Sequence, residues 1–533
     1  MKKILRVCIQ AVLIISAAAF AASAQSDDMR RAVGKYSQIM YYIDRLYLEE
    51  ADFENMVDDA VTAAMRNLDP HSSYIPAAEV MAMNEPLRGE FEGIGIEFAV
   101  IMDTLTVQAT VAGGPSETVG LRAGDKIVQV DTVFIAGNGV SNDDVFRLLR
   151  GEKGTKVALR VLRRGVADTL DFSIVRDRIP VNSVDAAYEA ADGVLYIKLS
   201  RFAARSDEEI RAAFEAFGKI PEGLILDLRG NSGGYLPTAI KIADEFLQSG
   251  DMIVYTEGRT VPVMKERASG KGKYRKGPLV IMIDENSASA SEIVAGAVQD
   301  QDRGTVVGRR SFGKGLVQQA LPLDDGSEIR LTIARYHTPS GRVIQSPYEN
   351  GDVEGYYEDF YNRYQRGESF SRDSIHFPDS LRYRTLKLGR TVYGGGGIMP
   401  DVFVPRDTSA YTDSYAAMLR QGIVPEYVNG LCDRKREEWS RKYDTFDKFD
   451  SSFKVTSRMM EELMALAAER GIEYDEEDTA RSEEDLKTYI KALVAGNILS
   501  RDCFYRVINE RSPEFQAALD ALREASLSSK ALL

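Results

Sequence analysis

A chain of 533 residues with 44% hydrophobic residues has room for several domains and a large core. Its formal net charge of −14 argues against a nucleic-acid surface. Three scattered histidines and three cysteines offer no zinc-ligand spacing, so no metal site is expected.

Residues 1–24 read as a signal peptide. Lys2, Lys3 and Arg6 precede an apolar stretch from Val7 to Ala22, and Ala22-Ser23-Ala24 is a small-x-small cleavage pattern. Cys8 lies too early in that stretch to be a lipoprotein cysteine. The alternative is an uncleaved membrane anchor; no later stretch is long and apolar enough to span a bilayer. The mature chain keeps Cys432 and Cys503, which export would allow to pair, although sequence does not give their separation.

Residues 25–87 predict helices. Tyr41, Tyr42, Ile43, Leu46 and Tyr47, then Phe53, Met56, Val57, Ala60 and Met65, sit near helical spacing, and Asp69-Pro70-His71-Ser72-Ser73-Tyr74 stops the pattern. Residues 88–177 read as short strands with glycine turns. Within them Pro115, Gly120-Leu121, Gly124-Asp125 and Ile127 resemble the P-x-x-x-x-G-L-x-x-G-D-x-I signature of PDZ domains. The resemblance implies a small β-barrel with helices, in which Ser141 to Arg150 flanks a peptide groove. It also implies that Gly93, Ile94, Gly95 and Ile96 form the loop that takes a terminal carboxylate, in a departure from the common G-L-G-F form.

Residues 178–283 alternate between strand and helix. Val194 to Leu199 and the nearly all-apolar Gly223 to Leu228 predict strands, the second buried on both faces. Ser206-Asp207-Glu208-Glu209 reads as a capping box for a helix to Phe217. Leu226-Asp227-Leu228-Arg229 runs into a turn containing Asn231, Gly233 and Gly234. The strand Leu279 to Ile283 then leads into Asp284-Glu285-Asn286-Ser287-Ala288-Ser289-Ala290-Ser291-Glu292 and a helix carrying Ile293, Val294, Ala297 and Val298. A serine at a helix N-terminus meets free N–H groups that favour developing negative charge, which suits a nucleophile.

Histidine is scarce, and the base on offer is Lys314, in Gly313-Lys314-Gly315. Its pKa must fall from about 10.4 toward about 7–8, through burial or a cationic neighbour. Gln318 lies four residues on. In an extended stretch it shares a face with Lys314 and can hold the amine in position. Strands continue through Ile329 to Tyr336, reaching His337. An excursion rich in tyrosine and charge follows, over residues 346–393. Residues 409–533 read as helical: Met459, Met460, Leu463, Leu466 and Ala467 form one stripe, and Ser482 and Asp485 are placed as caps for a helix carrying Leu486 and Ile490.

The run S-A-S-A-S-E followed by F-G-K-G-x-x-Q resembles the carboxyl-terminal processing peptidases, a Ser-Lys family also called tail-specific proteases. Lys314 follows Ser289 by 25 residues, the family spacing, which picks Ser289 over Ser287 and Ser291. L-D-L-R-x-N-x-G-G, D-P-H-S-x-Y and H-T-P-S-G-R match as well, so the resemblance covers about residues 35–408, interrupted by the excursion. It implies an α/β multidomain fold with a crotonase- or Clp-protease-like core over 178–408. The excursion would pack on the core surface, a PDZ domain would be inserted at 88–177, and helical regions would occupy 25–87 and 409–533.

The function implied is that of an exported serine endopeptidase acting on unstructured or C-terminally tagged proteins, extracytoplasmic and by family habit periplasmic. Ser289 would be the nucleophile, Lys314 the base and Gln318 its orienting group. N–H groups of Ala290 and of Gly233 or Gly234 would form the oxyanion hole. His71 and His337 are read as structural. The implied partners are peptides with free, apolar C-termini, with a homodimer through the helical ends and an adaptor left open. A catalytically silent PDZ receptor is the alternative, and intact Ser289, Lys314 and Gln318 argue against it. An acyl-CoA enzyme on a crotonase core is opposed by the PDZ signature and the export signal.

Overall fold

The computed structural model describes residues 27–531 apart from 102 and 112. The expected signal peptide, 1–24, lies outside the described residues. Among those described, no helix is long and apolar enough to cross a membrane. Residues up to Met65 form one compact unit and those from Arg66 a second. The first contains two amphipathic helices, α1 (Asp27–Leu46) and α2 (Phe53–Arg66), neither of which buries a residue. Tyr41, Leu46 and Tyr47 stand exposed there.

The second unit starts with a short strand, β1 (Ser73–Ile75), then α3 (Ala77–Arg88) and β2 (Glu90–Gly93). The PDZ region is built from β3 (Ile96–Ile101), β4 (Thr104–Thr110), β5 (Lys126–Val130), β6 (Val133–Phe134), α4 (Asn142–Leu149), β7 (Lys156–Leu162) and β8 (Leu170–Val175). Their sheet runs β3-β4-β5-β7-β8, with β6 paired to β5, so β3 is an edge strand. Leu105, Ile127, Val145, Leu159 and Ile174 fill the core beneath it. Ser141 caps α4 in a reciprocal box with Asp144. The chain leaves through β9 (Asp177–Pro180), which pairs antiparallel with β2, so the strands before and after the insertion are zipped together.

The central sheet alternates with helices: β10 (Val184–Ala191), β11 (Val194–Leu199), α5 (Ser206–Phe217), β12 (Gly223–Asp227), α6 (Leu236–Asp244), β13 (Met252–Glu257), β14 (Met264–Arg267), β15 (Leu279–Ile283), α7 (Ala290–Asp300) and β16 (Thr305–Gly308). Then come β17 (Leu316–Pro322), β18 (Glu328–His337), α8 (Val353–Gln365) and β19 (Val402–Phe403). The six strands β10-β11-β12-β15-β16-β19 form one sheet, parallel except between β10 and β11. A second sheet contains β1, β18, β13, β14 and β17.

β12 and β15 are buried at every residue, because the central sheet is covered on both faces. Leu224, Leu226 and Ile281 point to α5, α6 and α7. Ile225, Val280 and Val307 point the other way, onto Phe515, Leu519 and Leu522 of the last helix, Pro513–Ala531. The helical end is therefore not a separate appendage: its last helix completes the central core. The preceding helices build their own core around Val428, Phe449, Leu463 and Ile490. Cys432 and Cys503 are buried and unpaired.

Two local expectations fail. The box at Ser206 does not form; Arg205 is the N-cap and makes no side-chain cap. Glu209 instead accepts from the backbone N–H groups of Ser183 and Val184 at the start of β10. Ser482 and Asp485 do not begin a helix either. They lie inside Glu476–Ile498, which Asp475 caps by accepting from the Asp478 N–H.

Candidate active site

After β15 the chain turns over Asp284–Ala288 and is pinned to the turn that follows β12. Ser287 Oγ donates to the Leu228 carbonyl (2.8 Å), the Ala288 N–H to the Asn231 carbonyl (3.0 Å), and Ser291 Oγ to that same carbonyl (2.8 Å). Two serines of the run thus spend their hydroxyls on the backbone and are buried. Ser289, between them, is half-buried at the N-cap of α7 with φ 54° and ψ −111°. Holding a serine there costs about 1–3 kcal/mol, a strain the surrounding hydrogen bonds must offset.

Gly233 lies against it. A Cβ at Gly233 would stand 2.9 Å from Ser289 Cβ, 2.9 Å from the Ala288 carbonyl oxygen and 3.1 Å from Ala290 N, and its φ is 107°. Only glycine fits this approach. The Gly233 N–H donates to Asn231 Oδ1 (2.9 Å). Among the described residues no acceptor takes the N–H groups of Gly234 or Ala290.

Lys314 sits in the loop before β17, beside Gly313 at φ 96°. Its Nζ donates to Gln318 Oε1 (2.9 Å). The pair meets despite a bulge between Val317 and Gln318 in the β17–β18 ladder. Gln318 Nε2 donates to the carbonyl of His71, which fixes the orientation of the amide. Burial pushes the Lys314 ammonium below the ordinary lysine value; Arg330 adds to the push, and Asp69 and Glu292 resist it.

Glu292, buried on the first turn of α7, joins the two halves of the site. One carboxylate oxygen accepts from the N–H groups of Ser289 (2.8 Å) and Lys314 (2.9 Å). The other accepts from the Gly313 N–H (2.8 Å) and Ser311 Oγ (2.6 Å). Burial raises its carboxyl to about 7, against these four bonds. The Tyr336 hydroxyl also bridges the halves, reaching the carbonyls of Ser289 (3.1 Å) and Lys314. The sequence contained a signal for Glu292, the only acidic side chain in the otherwise small and apolar stretch from Ala288 to Val298, but reading it as part of a motif left its role unassigned. His337 stacks on Tyr255 (4.4 Å, 4°) and faces the Gly341 carbonyl, a structural setting.

In the PDZ region, Gly93 ends β2, Gly95 has φ 75° and Ile96 opens the edge strand β3. The Ile94 carbonyl is taken by Ser116 N and Oγ. No acceptor among the described residues takes the N–H groups of Ile94 and Gly95. Phe98 on β3 meets Phe146 on α4 edge to face at 5.4 Å, which sets the helix beside the open edge.

Together, a mostly parallel central sheet, a strained serine against a glycine turn and a half-buried lysine define a serine peptidase carrying a peptide-binding domain. Residues 193–354 match the model of peptidase family S41, residues 106–163 that of the PDZ domain, and residues 414–500 that of a family of unknown function. The carboxy-terminal-processing protease of Bartonella bacilliformis is 35% identical over 345 residues, 64% of this chain and 78% of that one. Carboxy-terminal processing protease CtpB of Bacillus subtilis is 34% identical over 333 residues, 61% of this chain and 68% of that one. A solved photosystem II D1 C-terminal processing protease is 26% identical with a TM-score of 0.36, covering 70% of this chain and 87% of its own. The chain belongs to peptidase family S41, among its carboxy-terminal processing proteases.

Replacing Glu292 by glutamine would turn an amide NH2 toward N–H donors on one side of the clamp. We expect kcat to fall about 100-fold with KM little changed, because the Ser289 and Lys314 loops lose their common anchor. Steady-state cleavage by the folded variant checks this.

Proposed function

We propose that this protein cleaves unstructured or C-terminally tagged polypeptides by a Ser-Lys mechanism. Ser289 Oγ attacks the scissile carbonyl while neutral Lys314 takes its proton. Lys314 then returns that proton to the leaving amine, and water releases the acyl group from Ser289. Gln318 orients the lysine amine. The N–H groups of Gly234 and Ala290 receive the oxyanion, since the Gly233 N–H is engaged by Asn231. The observation that carries this reading is the Lys314–Gln318 pair at 2.9 Å, in a loop that Glu292 ties to the Ser289 backbone.

The PDZ domain would take a free, apolar C-terminus by adding it along β3, with the carboxylate on the N–H groups of Gly93–Ile96. That no acceptor among the described residues takes the N–H groups of Ile94 and Gly95 favours this. We place the domains at 1–24, 25–87, 88–177, 178–408 and 409–533, with Pro513–Ala531 also part of the core. Lys2, Lys3, Arg6 and the apolar run after them support export, to the periplasm or with the anchor retained. The exposed apolar residues of α1 and α2 favour a homodimer through the helical ends. An adaptor would present substrates.

The test uses an unstructured polypeptide ending in alanine and leucine, and a second copy whose last residues are aspartate. Wild type should cleave the first at least about 10-fold more efficiently, in kcat/KM, and Ser289→Ala should cleave neither. Equal cleavage of the two would remove the tail-recognition role, and cleavage by Ser289→Ala would remove the nucleophile.

A further inference from the structure

The tyrosine-rich excursion meets the catalytic loop directly. Its helix α8 turns Tyr356 inward to 6% exposure, and the family match ends at residue 354, just short of it. The Tyr356 hydroxyl stands 3.3 Å from His71 Nε2 and receives a hydrogen bond of 3.3 Å from Gln345 Nε2. Gln345 donates to the hydroxyl oxygen, and the hydroxyl proton goes to His71 Nε2 in the tautomer that carries its proton on Nδ1. The two rings meet edge to face at 5.3 Å. His71 is the residue whose carbonyl holds Gln318 Nε2. Gln345 Oε1 accepts from the N–H of Gly315, next to Lys314 (2.8 Å). Arg363, two turns along α8, donates to the Ser311 carbonyl (3.0 Å) and Ser346 Oγ (2.8 Å). One hydroxyl therefore spans both sides of the base: the His71–Gln318 side and the Gln345–Gly315 side.

We infer that Tyr356 is a positioning residue for the base, fixing through His71 and Gln345 both the Gln318–Lys314 pair and the backbone of the lysine loop. The inference rests on the Ser-Lys reading. It couples the excursion to the D-P-H-S stretch, since the first locks the second and the second sets the amide that holds Lys314. The His71 imidazole suits this role, since burial and then Lys314 pull it down to about 4, with Asp69 resisting, and it stays a neutral acceptor at neutral pH. The charged groups acting on Lys314 are Arg330, Asp69 and Glu292, and all three are retained when Tyr356 is changed.

The test is the pH profile of kcat for wild type, Lys314→Ala, Tyr356→Phe, Tyr356→Ala and, as a control on the exposed face of α8, Tyr361→Phe. The substrate is a quenched-fluorescent unstructured peptide with an apolar C-terminus. Loosening the Gln318 clamp admits water to Lys314 and lets its pKa rise, so the acid limb should move to higher pH. We expect Tyr356→Phe, which keeps the ring packing, to lose about 10-fold in kcat at neutral pH, with KM and thermal unfolding unchanged. Tyr356→Ala should lose more, and Tyr361→Phe nothing. An acid limb left in place in Tyr356→Phe overturns the inference, whether or not Tyr356→Ala folds. Activity retained by Lys314→Ala, or absent from wild type, overturns the Ser-Lys reading beneath it.

Discussion

Lys314→Ala is expected to lower kcat by about 10²–10⁴-fold, the usual contribution of a positioned general base, while leaving binding at the PDZ groove unchanged. Among the described residues neither histidine near the site is placed to take over. His71 lies behind Gln318 and is held neutral chiefly by burial, and His337 is stacked on Tyr255. The same substitution has a signature in stability. In the folded protein the Lys314 pKa is depressed, so the unfolded chain binds more protons and stability rises with pH. For wild type that contribution is lost as pH falls below the unfolded lysine value of about 10.4. Lys314→Ala removes this slope, so denaturant unfolding at several pH values should show a flatter dependence in the variant, whatever the cost of the cavity. Activity of the wild type should fall on the acid side, where Lys314 and Glu292 each gain a proton that opposes catalysis.

The second large effect is expected at Gly233. Alanine there needs a Cβ 2.9 Å from both the Ala288 carbonyl oxygen and Ser289 Cβ, at a φ of 107° that L residues rarely adopt. Relief of these contacts must separate the glycine turn from the serine elbow, so Ser289 and Ala290 should shift relative to the substrate carbonyl. We expect at least about a 100-fold loss of kcat, comparable to removal of an oxyanion donor, in a protein that still folds and still binds a C-terminal peptide. Steady-state cleavage together with peptide titration by fluorescence anisotropy separates the two readouts. An active Gly233→Ala enzyme would mean that the elbow tolerates displacement.

Ser289 and Lys314 stand out in the sequence because both sit in short motifs of small side chains whose spacing carries the information. The PDZ insertion was legible for the same reason. What sequence left open depends on contacts between distant segments. Gly233 and Gly234 differ in that the side chain of Asn231 occupies the Gly233 N–H, a contact that no local pattern shows. The clamp on Gln318 comes from the His71 carbonyl, 247 residues away, and a backbone atom has no residue type to betray it. The box at Ser206 failed because Glu209 had better partners in Ser183 and Val184, an instance of tertiary contacts overriding a local signal. Ser482 and Asp485 misled because Asp475 starts the helix earlier.

The last helix has a consequence for how the protein comes to life. Phe515, Leu519 and Leu522 close one face of the central sheet, and Glu514 reaches Arg309 and Arg229, the latter also hydrogen-bonded to Ser512 (2.9 Å). A growing chain that has already made Ser289 and Lys314 still lacks this cover, and Ile225, Val280 and Val307 remain bare. The order of synthesis thus delays the finished peptidase until the helix arrives.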